Sequence, residues 1–132
     1  MLSEQIYTGQ GKRTARRVLD TQPFTVEVSF EDKGSLLGLE GATIGTYTAS
    51  PRPDGTLTGE GKGIFAFSDG EVVTWKGIGT GKLKPGGAVS YRGALTFTAT
   101  SQRLARLNLI AGVFEFEVDE SGNTNTQIWE WK

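Results

Sequence analysis

The chain has 132 residues and a formal net charge of -1, with neither cysteine nor histidine. That length suits one domain with its own core. The missing residue types exclude disulfide frameworks, thiolate nucleophiles, the common zinc ligand sets and the histidine base of serine and cysteine hydrolases. Acid–base work falls to Asp, Glu, Lys or Tyr, no acidic run has calcium-loop spacing, and no cofactor is expected.

Turn signals recur at short intervals, and the segments between them alternate with period two, which predicts an all-β meander. Eight strands follow: Glu4 to Leu19, bent at Gly9 and Gly11, then Phe24 to Glu31, Ala42 to Ser50, Thr56 to Phe67, Glu71 to Lys84, Ala88 to Thr100, Gly112 to Asp119 and Thr126 to Trp131. Eight strands suffice to close a small antiparallel barrel in a single domain, residues 1–132.

Met1 to Gln10 holds no apolar core of signal-peptide length, and no later run approaches the roughly 20 residues of a membrane span. A soluble, cytoplasmic protein without a membrane partner is the expectation. Lys12, Arg13, Arg16 and Arg17 form one basic cluster in the first strand. In a chain of nearly balanced charge they read as a solvated strand face, and no nucleic-acid partner is expected.

In the second strand Phe24, Val26, Val28 and Phe30 face away from Thr25, Glu27, Ser29 and Glu31. The fourth and fifth strands put glycine on the aromatic parity: Gly59, Gly61 and Gly63 lead into Phe65 and Phe67, and Trp75 leads into Gly77, Gly79 and Gly81. Side chains two apart share a face. A face mixing the smallest and largest residues fits the concave side of a tightly curved sheet.

Ser68, Asp69 and Gly70 read as a three-residue hairpin loop, which pairs Phe67 with Glu71 and Gly63 with Trp75. A loop from Lys84 to Ala88 likewise pairs Gly81 with Tyr91 and Trp75 with Phe97. In both hairpins a ring covers a glycine across the strand. The segment Ser101 to Ala111 is not strand-like. Ser101 is placed as the cap of a short helix whose Leu104, Leu107, Leu109 and Ile110 plug one barrel end.

The Gly-x-Gly-x-Gly runs resemble phosphate loops only superficially, because no helix follows them. Glu115 and Glu117, two apart and opposite Phe114 and Phe116, read as an outward polar face. The interior candidates are the rings of Tyr47, Phe65, Trp75, Tyr91, Phe97, Phe114 and Trp129, with Trp131 beside them. They either fill the barrel or line a pocket in which the Tyr47 and Tyr91 hydroxyls are the polar anchors.

The stretches RLARLNLIAGVFEFEVDESGN, IWEWK and TYTASPRPDGTLTGEGKGIFAFSDGE resemble small bacterial conserved-hypothetical proteins across nearly the whole chain. The resemblance implies a fold and no activity. Ile110 to Glu115 is similar to the glycine-phenylalanine-glutamate segment of the allene oxide cyclase-like barrels, which implies an eight-stranded antiparallel barrel of a kind in which several members are oligomeric and some bind or cyclise apolar molecules in the barrel mouth. This chain departs from the cyclase pattern in lacking cysteine, so cyclase activity is not carried over.

The expected function is binding of a small apolar or amphipathic molecule in the barrel mouth. One alternative is a cyclase- or isomerase-type enzyme using a carboxylate such as Glu115. Another is a structural barrel that associates with copies of itself through outward Ile44, Ile64 and Ile78.

Overall fold

Eight antiparallel strands close in sequence order into a barrel: β1 (Leu2–Thr21), β2 (Phe24–Leu36), β3 (Leu39–Pro51), β4 (Leu57–Phe67), β5 (Val72–Leu83), β6 (Val89–Ala99), β7 (Ala111–Val118) and β8 (Asn123–Trp131). The computed structural model describes residues 2–132. No helix among them is long and apolar enough to cross a membrane.

The predicted registers are present: Gly63 lies opposite Trp75, Trp75 opposite Phe97, and Gly81 opposite Tyr91. The Phe67 amide donates to the Glu71 carbonyl at 2.8 Å across the Ser68–Gly70 turn. Each ring lies over the glycine it faces. A side chain at Gly63 would overlap the indole of Trp75, and one at Gly81 would overlap Tyr91. Glycine is thus required where a large ring folds flat against a curved wall.

Three elements run three or more residues past their expected bounds at one end, β8 by beginning at Asn123 rather than Thr126 and β2 and β3 by extending toward each other. Strand β2 runs past Glu31 to Leu36, and β3 begins at Leu39, joined by a two-residue turn in which Leu37 and Gly38 have φ of 53° and 80°. Paired left-handed residues of this kind match the twist of a hairpin. Leucine is a poor advertisement for such a turn, so it was not expected from the sequence.

One end of the barrel is closed by the segment after β6, as expected, but its geometry differs. It is a 3-10 helix, Gln102–Leu109, and the Ser101 side chain does not cap it. The Ser101 hydroxyl instead lies 3.3 Å from a Glu71 carboxylate oxygen. With about three residues per turn, Leu104, Leu107 and Ile110 stack on one buried face, while Leu109 is 89% exposed and takes no part in the plug. The plug packs on Ile6, Leu36, Phe67 and Val73.

Side chains clamp this plug to the barrel rim. Arg103 reaches Asp69 at 2.7 Å and Glu71 at 2.8 Å in the β4–β5 turn, and Arg106 reaches Glu4 at 3.1 Å and Glu130 at 2.8 Å. The Asn108 amide accepts from the Ala99 N–H at 2.7 Å and donates to the Ala99 carbonyl at 2.9 Å.

The opposite end carries no such plug among the described residues, and a second buried cluster of Phe30, Ala49, Leu57, Tyr91, Phe116 and Val118 packs there. Pairing of β1 with β8 stops at Lys12 and Asn123, whereas its pairing with β2 continues to Thr21 and Phe24. Residues 14–21 therefore form a one-sided edge, turned back through a cis peptide at Gln22–Pro23. A bulge between Arg13 and Ala15 resets the alternation. Arg13 then sits opposite Phe30 and Arg16 opposite Val28, both on the inner row, while Lys12 and Arg17 stay on the outer one. The basic cluster is thus not a single solvated face, because the bulge splits it.

Candidate functional site

Between the plug and the open end lies an apolar cavity that gives the centre of a water-sized sphere about 80 Å³ of room. One water needs roughly 10–15 Å³ on this measure, so the space exceeds a packing defect. Tyr47, Phe65, Trp75, Tyr91, Phe97 and Phe114 all line it, together with Phe30, Leu95, Phe116 and Ile128. Trp129 does not. It lies opposite Val113 on the outer row of the β7–β8 ladder, because the inner row of β8 is Thr124, Thr126 and Ile128. Trp131, on that same outer row, is 61% exposed.

The rings are mutually braced. Tyr47 meets Tyr91 edge-on at 5.5 Å between centroids and Phe116 at 5.7 Å, and Phe30 lies 4.8 Å from Phe116. Contacts of this geometry add about 0.5–1.5 kcal/mol each beyond burial. Burial pushes the Tyr91 hydroxyl up to about 12, and burial with the neighbouring Tyr91 pushes Tyr47 higher still. Both phenols are therefore neutral donors at ordinary pH. Neither is hydrogen-bonded among the described residues.

The cavity also carries a polar wall that sequence reasoning missed. Asp32, only 3% exposed, accepts from the Tyr7 hydroxyl at one carboxylate oxygen and from the Thr126 hydroxyl at the other, the latter at 3.1 Å. The Tyr7 hydroxyl also lies 3.2 Å from that of Thr43. Tyr7, Asp32, Thr43 and Thr126 all line the cavity. Burial raises the Asp32 pKa above the ordinary carboxylate range, and the hydroxyl donors only partly offset it. Burial, and the charge and hydrogen bond of Asp32, raise Tyr7 as well. In the same row as Asp32, across Gly11, the buried Thr124 hydroxyl has no partner among the described residues.

A signal for Asp32 existed. It continues the inward parity of Phe24, Val26, Val28 and Phe30, and a carboxylate at such a position is the anomaly to look for. Tyr7 shares its parity with Gly9 and Gly11, the same ring-and-glycine pattern seen in β4 and β5. The Tyr7 ring lies over both Gly9 and Gly34.

Glu115 is not in the cavity. It lies on the outer row, with its carboxylate 3.9 Å from Arg92, which also holds Glu117 at 2.7 Å. Ile44, Ile64 and Ile78 do face outward, at 57%, 46% and 65% exposure. Ile44 and Ile64 are paired, but the Lys62–Lys76 row separates them from Ile78. Beneath this face Gly61 and Gly77 border both the cavity and an open outer groove. Among the described residues no group of acidic side chains could hold a metal ion.

Fold and site define a closed eight-stranded antiparallel meander barrel with a plugged end and an aromatic interior. No family model matches the chain, and no curated protein matches it. Solved structures do. A conserved protein of unknown function from Rhodopseudomonas palustris superposes with a TM-score of 0.79 at 14% identity, covering 98% of this chain and 97% of that one. A beta-barrel like protein from Acinetobacter baumannii gives 0.82 at 12% identity, covering 100% and 96%. An enzyme from Penicillium herquei gives 0.67 at 14% identity, covering 96% and 92%. The chain shares its fold with barrels of unknown function and with one fungal enzyme.

Proposed function

We propose that the barrel binds a small apolar or amphipathic molecule in its interior. The observation that carries this reading is an apolar, ring-lined cavity whose walls include two neutral tyrosines, Tyr47 and Tyr91, neither hydroxyl being hydrogen-bonded among the described residues. Phenols left unsatisfied at the edge of an apolar space are inexpensive only where water or a ligand group meets them. Native mass spectrometry and dye displacement with fatty acids, terpenoids and polyketides test it. A bound species displaced by Gly61→Ala, whose new methyl would enter the cavity wall 3.1 Å from the Tyr47 Cβ, supports the reading. No uptake from any of these classes sinks it.

A second reading is favoured by the buried Asp32–Tyr7 pair. Among the allene oxide cyclase-like barrels, kinship with which is part of this reading, the interior is where apolar molecules are held. The fungal enzyme of the same fold adds support of a general kind. A carboxylate made more basic by burial can take a proton from the α carbon of an unsaturated carbonyl compound and return it at the γ carbon of the dienolate, a net isomerisation. Tyr7 would turn its hydroxyl from Asp32 to the developing enolate oxygen. Glu115, the carboxylate expected from the sequence, is out of reach. Conjugation of β,γ-unsaturated ketones, followed by ultraviolet absorbance in wild type and Asp32→Asn, decides the matter. Turnover that survives in the variant removes this reading.

A further inference from the structure

We propose that the molecule held in the barrel carries a carboxylate, gripped at the open end by Arg13 and Arg16 while its apolar body lies among the rings. The inference rests on the binding reading above and names the ligand class.

The bulge in β1 is what makes it possible. Without an extra residue between Arg13 and Ala15, two arginines three apart would fall on opposite faces. With it, Arg13 stands opposite Phe30 and Arg16 opposite Val28, and Val28 in turn stands opposite Tyr47. Both cations thus belong to the inner rows that carry the cavity rings. Arg13 also packs against the β7–β8 turn, its guanidinium 3.4 Å from where a Cβ on Gly122 would lie. It therefore spans the rim from the β1 side.

The partners of the arginines point the same way. Arg17 pairs with Glu27, Arg92 with Glu117, Arg103 with Asp69 and Glu71, and Arg106 with Glu4 and Glu130, while Arg52 donates to the Leu57 carbonyl. Arg13 and Arg16 have no acid and no side-chain hydrogen bond among the described residues. The acid of the adjoining turn, Asp119, spends its oxygens on the Ser121 and Asn123 amides and on the Asn123 side chain. Two unpaired guanidiniums therefore share the open end with two unbonded phenols. The field of Arg13 and Arg16 is felt at the Tyr47 hydroxyl, where it opposes the effect of burial. A planar carboxylate matches the forked donors of arginine, and phenols complete its acceptor sites.

The test compares a matched pair, decanoate and 1-decanol, by isothermal titration on wild type, on Arg13→Gln/Arg16→Gln, and on Arg17→Gln, which removes one charge from the outer row. The wild type should bind decanoate about tenfold tighter than the alcohol, the effect of one charge-assisted hydrogen bond. The double variant should bind both alike, with Arg13→Lys/Arg16→Lys recovering part of the preference and Arg17→Gln keeping all of it. Circular dichroism of each variant confirms the barrel. Equal affinity for acid and alcohol in the wild type overturns the inference and leaves the binding reading standing, as does an equal loss in Arg17→Gln. Binding of neither compound overturns the inference, and the binding reading then stands or falls with the wider screen of terpenoids and polyketides.

Discussion

A carboxylate inside an apolar barrel is costly unless its oxygens are satisfied, and at Asp32 that task falls mainly to Tyr7 and Thr126. Tyr7→Phe keeps the ring over Gly9 and removes the donor. It should cost about 1–3 kcal/mol in urea denaturation. The sign of the pH effect follows from burial. Because the folded-state pKa of Asp32 is raised, the folded protein holds this proton more tightly than the unfolded chain. The resulting contribution is complete below the unfolded value and is lost as pH rises through the folded one. Asp32→Asn lacks that loss, so its stability relative to wild type should grow between about pH 4 and about pH 7. Urea midpoints that differ by the same amount at both ends would contradict this. The inward parity of Asp32 is legible in the sequence, one residue beyond Glu31, the expected end of the second strand. Its contact with Tyr7 is not, because that depends on the β1–β2 register, and its contact with Thr126 depends on closure of the barrel by β8.

At the level of elements, the plug shows how helical spacing sorts apolar side chains between core and solvent. Leu109 lies five residues after Leu104 and two after Leu107, a spacing that puts it on their face at neither 3.6 nor three residues per turn. The 3-10 turn aligns Leu104, Leu107 and Ile110, three apart, and leaves Leu109 in solvent. Leu107→Ala should therefore cost about 2–5 kcal/mol, whereas Leu109→Ala should change stability by no more than about 0.5 kcal/mol. Thermal melts of the two variants check the contrast, and similar losses in both would mean that Leu109 belongs to the plug after all. The hairpins differ in the same way. Ser68-Asp69-Gly70 advertises its loop through residue types, and the strand register on either side follows. The Leu37-Gly38 turn carries no such signal at its first position, so the ends of β2 and β3 were hidden. The β1 bulge was hidden too, since a one-residue slip of alternation among Arg13 to Arg17 leaves no mark in hydrophobicity.

For the whole molecule, closure removes most of the sheet's edges, and the longest stretch left with one neighbour lies in β1. Residues 7–12 of β1 are held by β2 on one side and β8 on the other, but residues 14–21 have β2 alone. Native-state hydrogen exchange should show the amides of residues 14–21 that face away from β2 exchanging quickly, with those of residues 7–12 protected to the level of barrel opening. Equal protection along β1 would mean that something covers the edge. The all-β class and closed meander were legible because alternation, turns and ring-over-glycine pairing all pointed to curvature. The walls that produce this curvature have one more effect. At Gly59 and Gly61 an added methyl would meet its nearest atom at 3.2 and 3.1 Å, close enough to need only a few tenths of an ångström of adjustment. A single base change converts a glycine codon to alanine, so lineages sharing this scaffold can resculpt the lumen one methyl at a time without replacing an aromatic residue.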